Sequence, residues 1–200
     1  MAITVKSNGG GGTKVVIDDV QYKKDLKLVS IIASLNIGST PYDFSSGSAV
    51  VLNDEIHLLG GKGATHYKYD GVNWTSLGAL PYNFYDGSAV VLNDEIHLLG
   101  GSASSTKHYK YDGVNLTSLE NLPYAFERAS AVVFKSEIHL LGSYYYETAH
   151  YKYDGVNWTS LKKLPYAFSY GSAVVFQSGI HLLGGSNHWT ENSDIYREVK

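Results

Sequence analysis

Apolar and polar positions in this chain fall into short blocks, and the blocks recur. Ser88–Leu92 reads SAVVL, a run of small and β-branched residues of the length of a buried strand. Asn93-Asp94 interrupts it with a turn signal, and Glu95–Gly101 (EIHLLGG) resumes as a second strand ending in two glycines. After a short polar insert, His108–Asp112 (HYKYD) alternates its side chains between two faces. Gly113-Val114-Asn115 then turns the chain back into Leu116–Leu119 (LTSL). The pattern predicts four antiparallel strands, A to D, in a meander that cannot bury both of its faces alone.

This block starts again at Pro41, Pro81, Pro123 and Pro165, in steps of 40, 42 and 42 residues, and these are the four prolines of the chain. A period near 40 made of short strands predicts a propeller or solenoid, in which neighbouring units cover each other's faces. The last unit has strand A at Ser172–Phe176 and strand B at Ile180–Gly185, but only one further strand, Asp194–Val199. Its strand D is missing. When Pro41 is laid on Pro81, Ser30–Thr40 falls where the D strand of a preceding unit would lie. The sequence therefore predicts an all-β propeller of about four blades of four antiparallel strands, the last blade closed by the N-terminal strand at Ser30–Ile37. Closure would remove free sheet edges. A homo-oligomeric ring is the other way to close it. Residues 1–28 do not match the repeat. They are expected to form a β arm with a flexible joint at Gly9–Gly12, serving attachment or oligomerisation, ahead of a propeller over 29–200.

Composition narrows the function classes. With 200 residues and 44% hydrophobic content, the chain is long enough for one substantial domain. Its net charge is −3, and the basic residues are spread through every repeat, which argues against nucleic acid as a partner. Cysteine is absent, so disulfides, thiolate catalysis and cysteine-ligated zinc are excluded together. The first 30 residues lack the continuous apolar core of a signal peptide, and the apolar runs are strand sized, so no membrane insertion is expected.

A small-residue strand, a turn, an apolar strand ending in Gly-Gly, then a Tyr-containing and a Trp-containing strand: this order resembles the kelch repeat. Gly60-Gly61, Gly100-Gly101 and Gly184-Gly185 stand at its double glycine, followed by Tyr67, Tyr109, Tyr151 and by Trp74 and Trp158. Gly142-Ser143 and Leu116 depart from it, and kelch propellers more often carry five to seven blades. The near-identical HYKYDGVNWTSL wording after an unrelated arm also resembles kelch-type repeats in minor structural or tail proteins of phages infecting Gram-positive bacteria. That likeness implies a virion-associated protein, on the tail or surface or in the cytoplasm of the producing bacterium. It would contact other virion proteins through residues 1–28.

Candidate chemistry follows from comparing the units. The C–D turn is DGVN at Asp70, Asp112 and Asp154, while the B–C inserts and the D–A connections differ in every unit. In an up-and-down meander both variable sets emerge at one end of the propeller, a frequent ligand face in kelch proteins. There the candidate ligand-binding residues are Tyr85, Glu127, Arg128, Tyr144, Tyr145, Tyr146, Tyr170, Asn187, His188 and Trp189. Aromatic rings beside amide and charged groups suit a host surface glycan or a protein surface. The competing reading is inter-blade packing and tolerated loop drift. The recurring histidines lack short ligand spacing and an accompanying carboxylate cluster, so no metal or cofactor is expected. The repeated aspartates read as turn residues. No nucleophile, base and orienting acid stand out, and the copper oxidases of the kelch fold need a cysteine–tyrosine crosslink that this chain cannot make. The expectation is a non-enzymatic binding or adhesion module. A purely structural virion component and a carbohydrate-active enzyme using Glu127 or Asp86 are the alternatives.

Overall fold

The computed structural model describes residues 4–8, 12–16, 39–61, 63–101, 106–185 and 195–199. The chain divides into two compact units, residues 1–39 and 40–200. In the first, β1 (Thr4–Asn8) pairs antiparallel with β2 (Gly12–Val16), with Asn8 opposite Gly12. Of the glycine run expected as a flexible joint, Gly12 opens β2 and residues 9–11 lie outside the described residues. The strand expected at Ser30–Ile37 to close the last blade lies outside the described residues.

The second unit holds four sheets in sequence order, one per repeat. Blade 1 consists of β3 (Ser48–Leu52), β4 (Glu55–Leu59), β5 (Thr65–Tyr69) and β6 (Trp74–Ala79). Blade 2 has β7 (Ser88–Leu92), β8 (Glu95–Leu99), β9 (His108–Tyr111) and β10 (Leu116–Ser118). Blade 3 has β11 (Ser130–Phe134), β12 (Glu137–Leu141), β13 (His150–Tyr153) and β14 (Trp158–Ser160). Blade 4 comprises β15 (Ser172–Phe176), β16 (Gly179–Leu183) and β17 (Ile195–Val199). Every neighbouring pair is antiparallel, and among the described residues there is no helix.

The A strands form the innermost row, β3 against β7, β7 against β11 and β11 against β15. Packing between blades follows one rule. One face of each A–B hairpin, the trailing face, packs on the leading face of the next blade. Leu52 and Leu59 of blade 1 meet Ala89, Ile96, Leu98 and Tyr111 of blade 2. Val90, Leu92 and Leu99 of blade 2 meet Ala131, Ile138, Leu140 and Tyr153 of blade 3, and Val132 and Leu141 of blade 3 meet Ala173, Ile180 and Leu182 of blade 4. Hydrogen bonds repeat with the same period. The Ala89, Ala131 and Ala173 amides donate to Ser48 Oγ, Ser88 Oγ and Ser130 Oγ of the preceding blade, at 2.9, 3.3 and 3.0 Å.

The paired glycines owe their place to the next blade. Gly60, Gly100 and Gly142 have φ of 69°, 66° and 68°. A Cβ there would lie 1.7, 2.0 and 1.8 Å from the carbonyl oxygens of Phe84, Phe126 and Phe168. Those phenylalanines come from the D–A connection of the following blade and are fully buried. The amides of Gly61 and Gly101 donate to the same Phe84 and Phe126 carbonyls at 2.8 and 2.9 Å. Each pair is therefore a socket for its neighbour. Ser143, in the second position of blade 3, is buried and turns its Oγ onto the Ala125 carbonyl at 2.6 Å.

Candidate functional site

The B–C and D–A segments come together at one end of the blades, as the Gly61–Phe84 and Gly101–Phe126 bonds show. A backbone chain runs along the inner margin of this end. The Asp86 amide donates to the Ser46 carbonyl, Arg128 to Asp86 and Tyr170 to Arg128, at 2.8, 2.7 and 2.7 Å. All four residues hold φ between 51° and 58°, the left-handed region that L residues enter only where surroundings over-determine it. They lie at one repeat position whose side chain varies freely.

That variation builds a cluster around Arg128. Its Nε donates to Asp86 Oδ2 at 3.1 Å, and its guanidinium carbon lies 5.0 Å from the Tyr144 ring centre and 5.6 Å from that of Tyr170. Tyr144 meets Tyr145 edge-on at 4.9 Å and Tyr170 at 6.0 Å. The Arg128 charge is thus held between a carboxylate and two ring faces. Tyr145, Tyr146 and Tyr170 are exposed, Tyr85 marginally so, and Arg128 and Tyr144 are half-buried. Glu127 is buried, so its carboxylate is withdrawn from the loop surface. Asn187, His188 and Trp189 lie outside the described residues. Asp86, the partner considered for Glu127 in a catalytic pair, is engaged by Arg128.

Beside this cluster is a pocket of about 240 Å³ at the outer part of blade 3, lined among others by Tyr124, Tyr146, Tyr151, Thr148, Ser160 and Lys163. Tyr124 is fixed first. Its hydroxyl donates to the Gly142 carbonyl at 2.9 Å, a bond repeated by Tyr82 to Gly100 at 3.2 Å and Tyr42 to Gly60 at 2.7 Å. Burial pushes the Tyr124 phenol well above its ordinary pKa, so the ring stays neutral. Tyr151 packs on it at 5.4 Å and Tyr146, from the insert, at 5.5 Å. Sequence comparison explains the opening. The residue before HYKY is Thr65 in blade 1, Lys107 in blade 2 and Ala149 in blade 3. In blade 2, Lys107 Nζ covers the Tyr82 ring at 5.6 Å. Ala149 removes that cover, and Tyr146 walls the space from another side. Of the pocket residues, only Tyr146 was expected from sequence; the small residue at 149 was the available signal for the rest.

At the opposite end the A–B turns vary, but the C–D turn is the same in blades 1 to 3. Asp70, Asp112 and Asp154 each accept from the amides two and three residues on, at 2.6–2.8 Å, which lowers their carboxyl pKa values. They are turn residues, as their sequence context predicts. The repeated histidines form buried pairs inside the blades. His57 and His66, His97 and His108, and His139 and His150 approach Nδ1 to Nε2 at 2.9, 2.8 and 2.9 Å. Burial lowers His66, His97 and His139 to about 4 and His108 to about 3, so the pairs are neutral, one ring donating to the other. Among the described residues, no group of three or more histidine, cysteine or carboxylate side chains could hold a metal ion.

No protein-family model matches the sequence, and a search of curated proteins finds no match. Solved structures do match by fold. The structure of YjhT superposes with a TM-score of 0.69 at 16% identity, covering 80% of this chain and 65% of that one. This chain thus spans somewhat under two thirds of the length of that neighbour. Together with the four repeated antiparallel sheets, this likeness shows that the chain folds as a kelch-type β-propeller.

Proposed function

We propose that this protein is a non-enzymatic binding module that takes a surface carbohydrate at the loop end of blade 3. The observation that carries the reading is the pocket under Tyr146. Three tyrosine rings give flat apolar walls for a sugar ring, while Thr148, Ser160 and Lys163 supply hydroxyl and ammonium groups for orientation. The Arg128–Asp86 ion pair beside Tyr144 and Tyr170 extends the same surface with oriented polar groups. The setting we propose is a phage virion, where such a module would attach the particle to a host glycan. The repeat wording and a separate N-terminal hairpin support that setting. An enzyme reading has less to stand on, because Asp86 is paired with Arg128 and Glu127 is buried.

A glycan array probed with the full chain and with Tyr146→Ala and Lys163→Ala tests this. The expected result is binding to a restricted set of glycans, lost by at least tenfold in Tyr146→Ala with the fold intact. Binding that ignores both substitutions would count against the pocket. Turnover of a bound sugar would return the enzyme reading. Failure of particle assembly on deleting residues 1–28, with no glycan bound by the full chain, would favour a structural virion component.

A further inference from the structure

The two ends of the blade array are the two halves of an interface that the molecule makes three times internally. Among the described residues, no preceding blade lies on the leading face of blade 1. Val51 is 62% exposed and Ile56 39%, where Ile96 and Ile138 at the same repeat position are fully buried. On blade 4 the trailing face is open in the same way. Phe176 is 59% exposed and Leu183 39%, where Leu92 and Leu141 are almost fully buried. Val174 is exposed, and Val90 and Val132 are not.

Each of these faces has its cognate inside the array. Inside the array, Val90, Leu92 and Leu99 cover Ala131, Ile138 and Leu140. Val174, Phe176 and Leu183 are the same positions of blade 4, and Ala49, Ile56 and Leu58 are the same positions of blade 1, where Ala49 and Ile56 are exposed and Leu58 is already buried. Ring contacts repeat the match. His57 packs on Tyr111 of the next blade and His97 on Tyr153, both at 5.9 Å; His181 and Tyr69 stand at the corresponding positions, with Tyr69 already buried against Trp74. So do the hydrogen bonds. The series Ser48 to Ala89, Ser88 to Ala131 and Ser130 to Ala173 would continue from Ser172 to Ala49.

We propose that a second copy of this chain completes the propeller: the trailing face of blade 4 in each copy stacks on the leading face of blade 1 in the other, closing an eight-bladed ring. The contact is head-to-tail, and it closes because both ends are used. Eight blades lie within the range of known propellers.

The test is the mass of the full chain in solution by light scattering, for the wild type, Phe176→Asp and Val51→Asp. Both substitutions fall on exposed side chains, so circular dichroism should match the wild type. The expected wild-type mass is about 44 kDa, twice the chain mass of 21.9 kDa. Each variant alone should run as a monomer, because each lacks one of the two faces that every contact needs. An equimolar mixture of the two should associate through one intact seam, the trailing face of Val51→Asp on the leading face of Phe176→Asp, more weakly than the wild type because the other seam carries both substitutions. A wild-type monomer would overturn the proposal in favour of cover by the chain's own segments. A dimer of either variant alone would show a two-fold contact through one face only, and a species larger than a dimer would show a different ring. A mixture that associates no better than either variant alone, even at raised protein concentration, would likewise refute head-to-tail pairing.

Discussion

Acidification should unfold this propeller well before its carboxylates titrate, because its histidine pairs are buried as neutral rings. In the unfolded chain a histidine titrates near its ordinary value of 6.5, whereas His66, His97 and His139 are lowered to about 4 and His108 to about 3 by burial. A depressed folded value means that the stabilising contribution is present above pH 6.5 and is lost as pH falls towards 4. The charged neighbours of His97, Glu95 and Lys110, act in opposite directions and do not reverse this. Nor do Glu55 and Lys68 around His57. For one such histidine, linkage gives a loss of about 2 kcal/mol between pH 7 and pH 5, and the four together give an upper bound of about 7 kcal/mol. That is comparable with the whole stability of an ordinary domain. The turn aspartates lie outside this window, since their lowered values matter only below pH 4. Urea unfolding followed by tryptophan fluorescence at pH 7, 6 and 5, at fixed protein concentration, reads the effect directly. His97→Gln/His108→Gln, which replaces one titrating pair by amides, should flatten the dependence by about 3–4 kcal/mol over the same interval. A wild-type stability that changes by less than about 1 kcal/mol between pH 7 and 5, or an unchanged slope in the double variant, would refute the reasoning.

Three further perturbations test the packing. Gly100→Ala forces a Cβ to within 2.0 Å of the Phe126 carbonyl at a positive φ, whereas Gly113→Ala at φ 99° meets nothing within 4 Å. The first should cost about 3 kcal/mol or more and the second only the left-handed strain of about 1–2 kcal/mol, both read by chemical denaturation. Phe126→Ala removes a fully buried ring from the blade 2–3 interface and should destabilise by about 3–5 kcal/mol in the same assay. Lys110→Gln breaks the half-exposed pair with Glu95 at 2.8 Å and should change stability by less than about 1 kcal/mol, a difference that salt erases.

Much of the blade was legible because its strands are short, repeated and bounded by turn residues. The A strand at 88–92 and the start of the B strand at 95 fall where the pattern places them. The B strand stops at Leu99, short of the expected Gly101, because the two glycines leave the sheet to receive the Phe126 carbonyl. Asp112 likewise leaves the C strand to accept the turn amides. What the sequence hid depends on register and on neighbours. His97 stands opposite Lys110 and His108 opposite Leu99, so the two imidazoles meet diagonally across adjacent strands. That geometry is fixed by how the B–C insert sets the pairing, which spacing alone does not reveal. The pocket was hidden for a related reason. It arises where a side chain is short, Ala149 in place of the Lys107 of blade 2, so no added residue type marks it in the sequence. Glu127 reads as a loop charge in sequence and is turned inward in the fold.

The binding surface and the completed ring bear on each other through symmetry. In a head-to-tail ring of two copies the two-fold axis runs along the propeller axis, so both loop ends face the same way and the Tyr146 pocket occurs twice on one surface. Each pocket alone would hold a sugar weakly, as shallow aromatic sites do. Two on one rigid face convert the second contact into an intramolecular step, with avidity gains of about 10²–10⁴ on a densely coated surface. Phe176→Asp, which opens the ring at a residue remote in sequence from the pocket, should therefore weaken binding to immobilised glycan by about that factor. Its affinity for the same sugar free in solution should stay unchanged. Equal binding of wild type and Phe176→Asp to the coated surface would separate the pocket from the ring. A matching loss for the free sugar would instead mean that Phe176 supports the pocket itself, and the link through symmetry would fall.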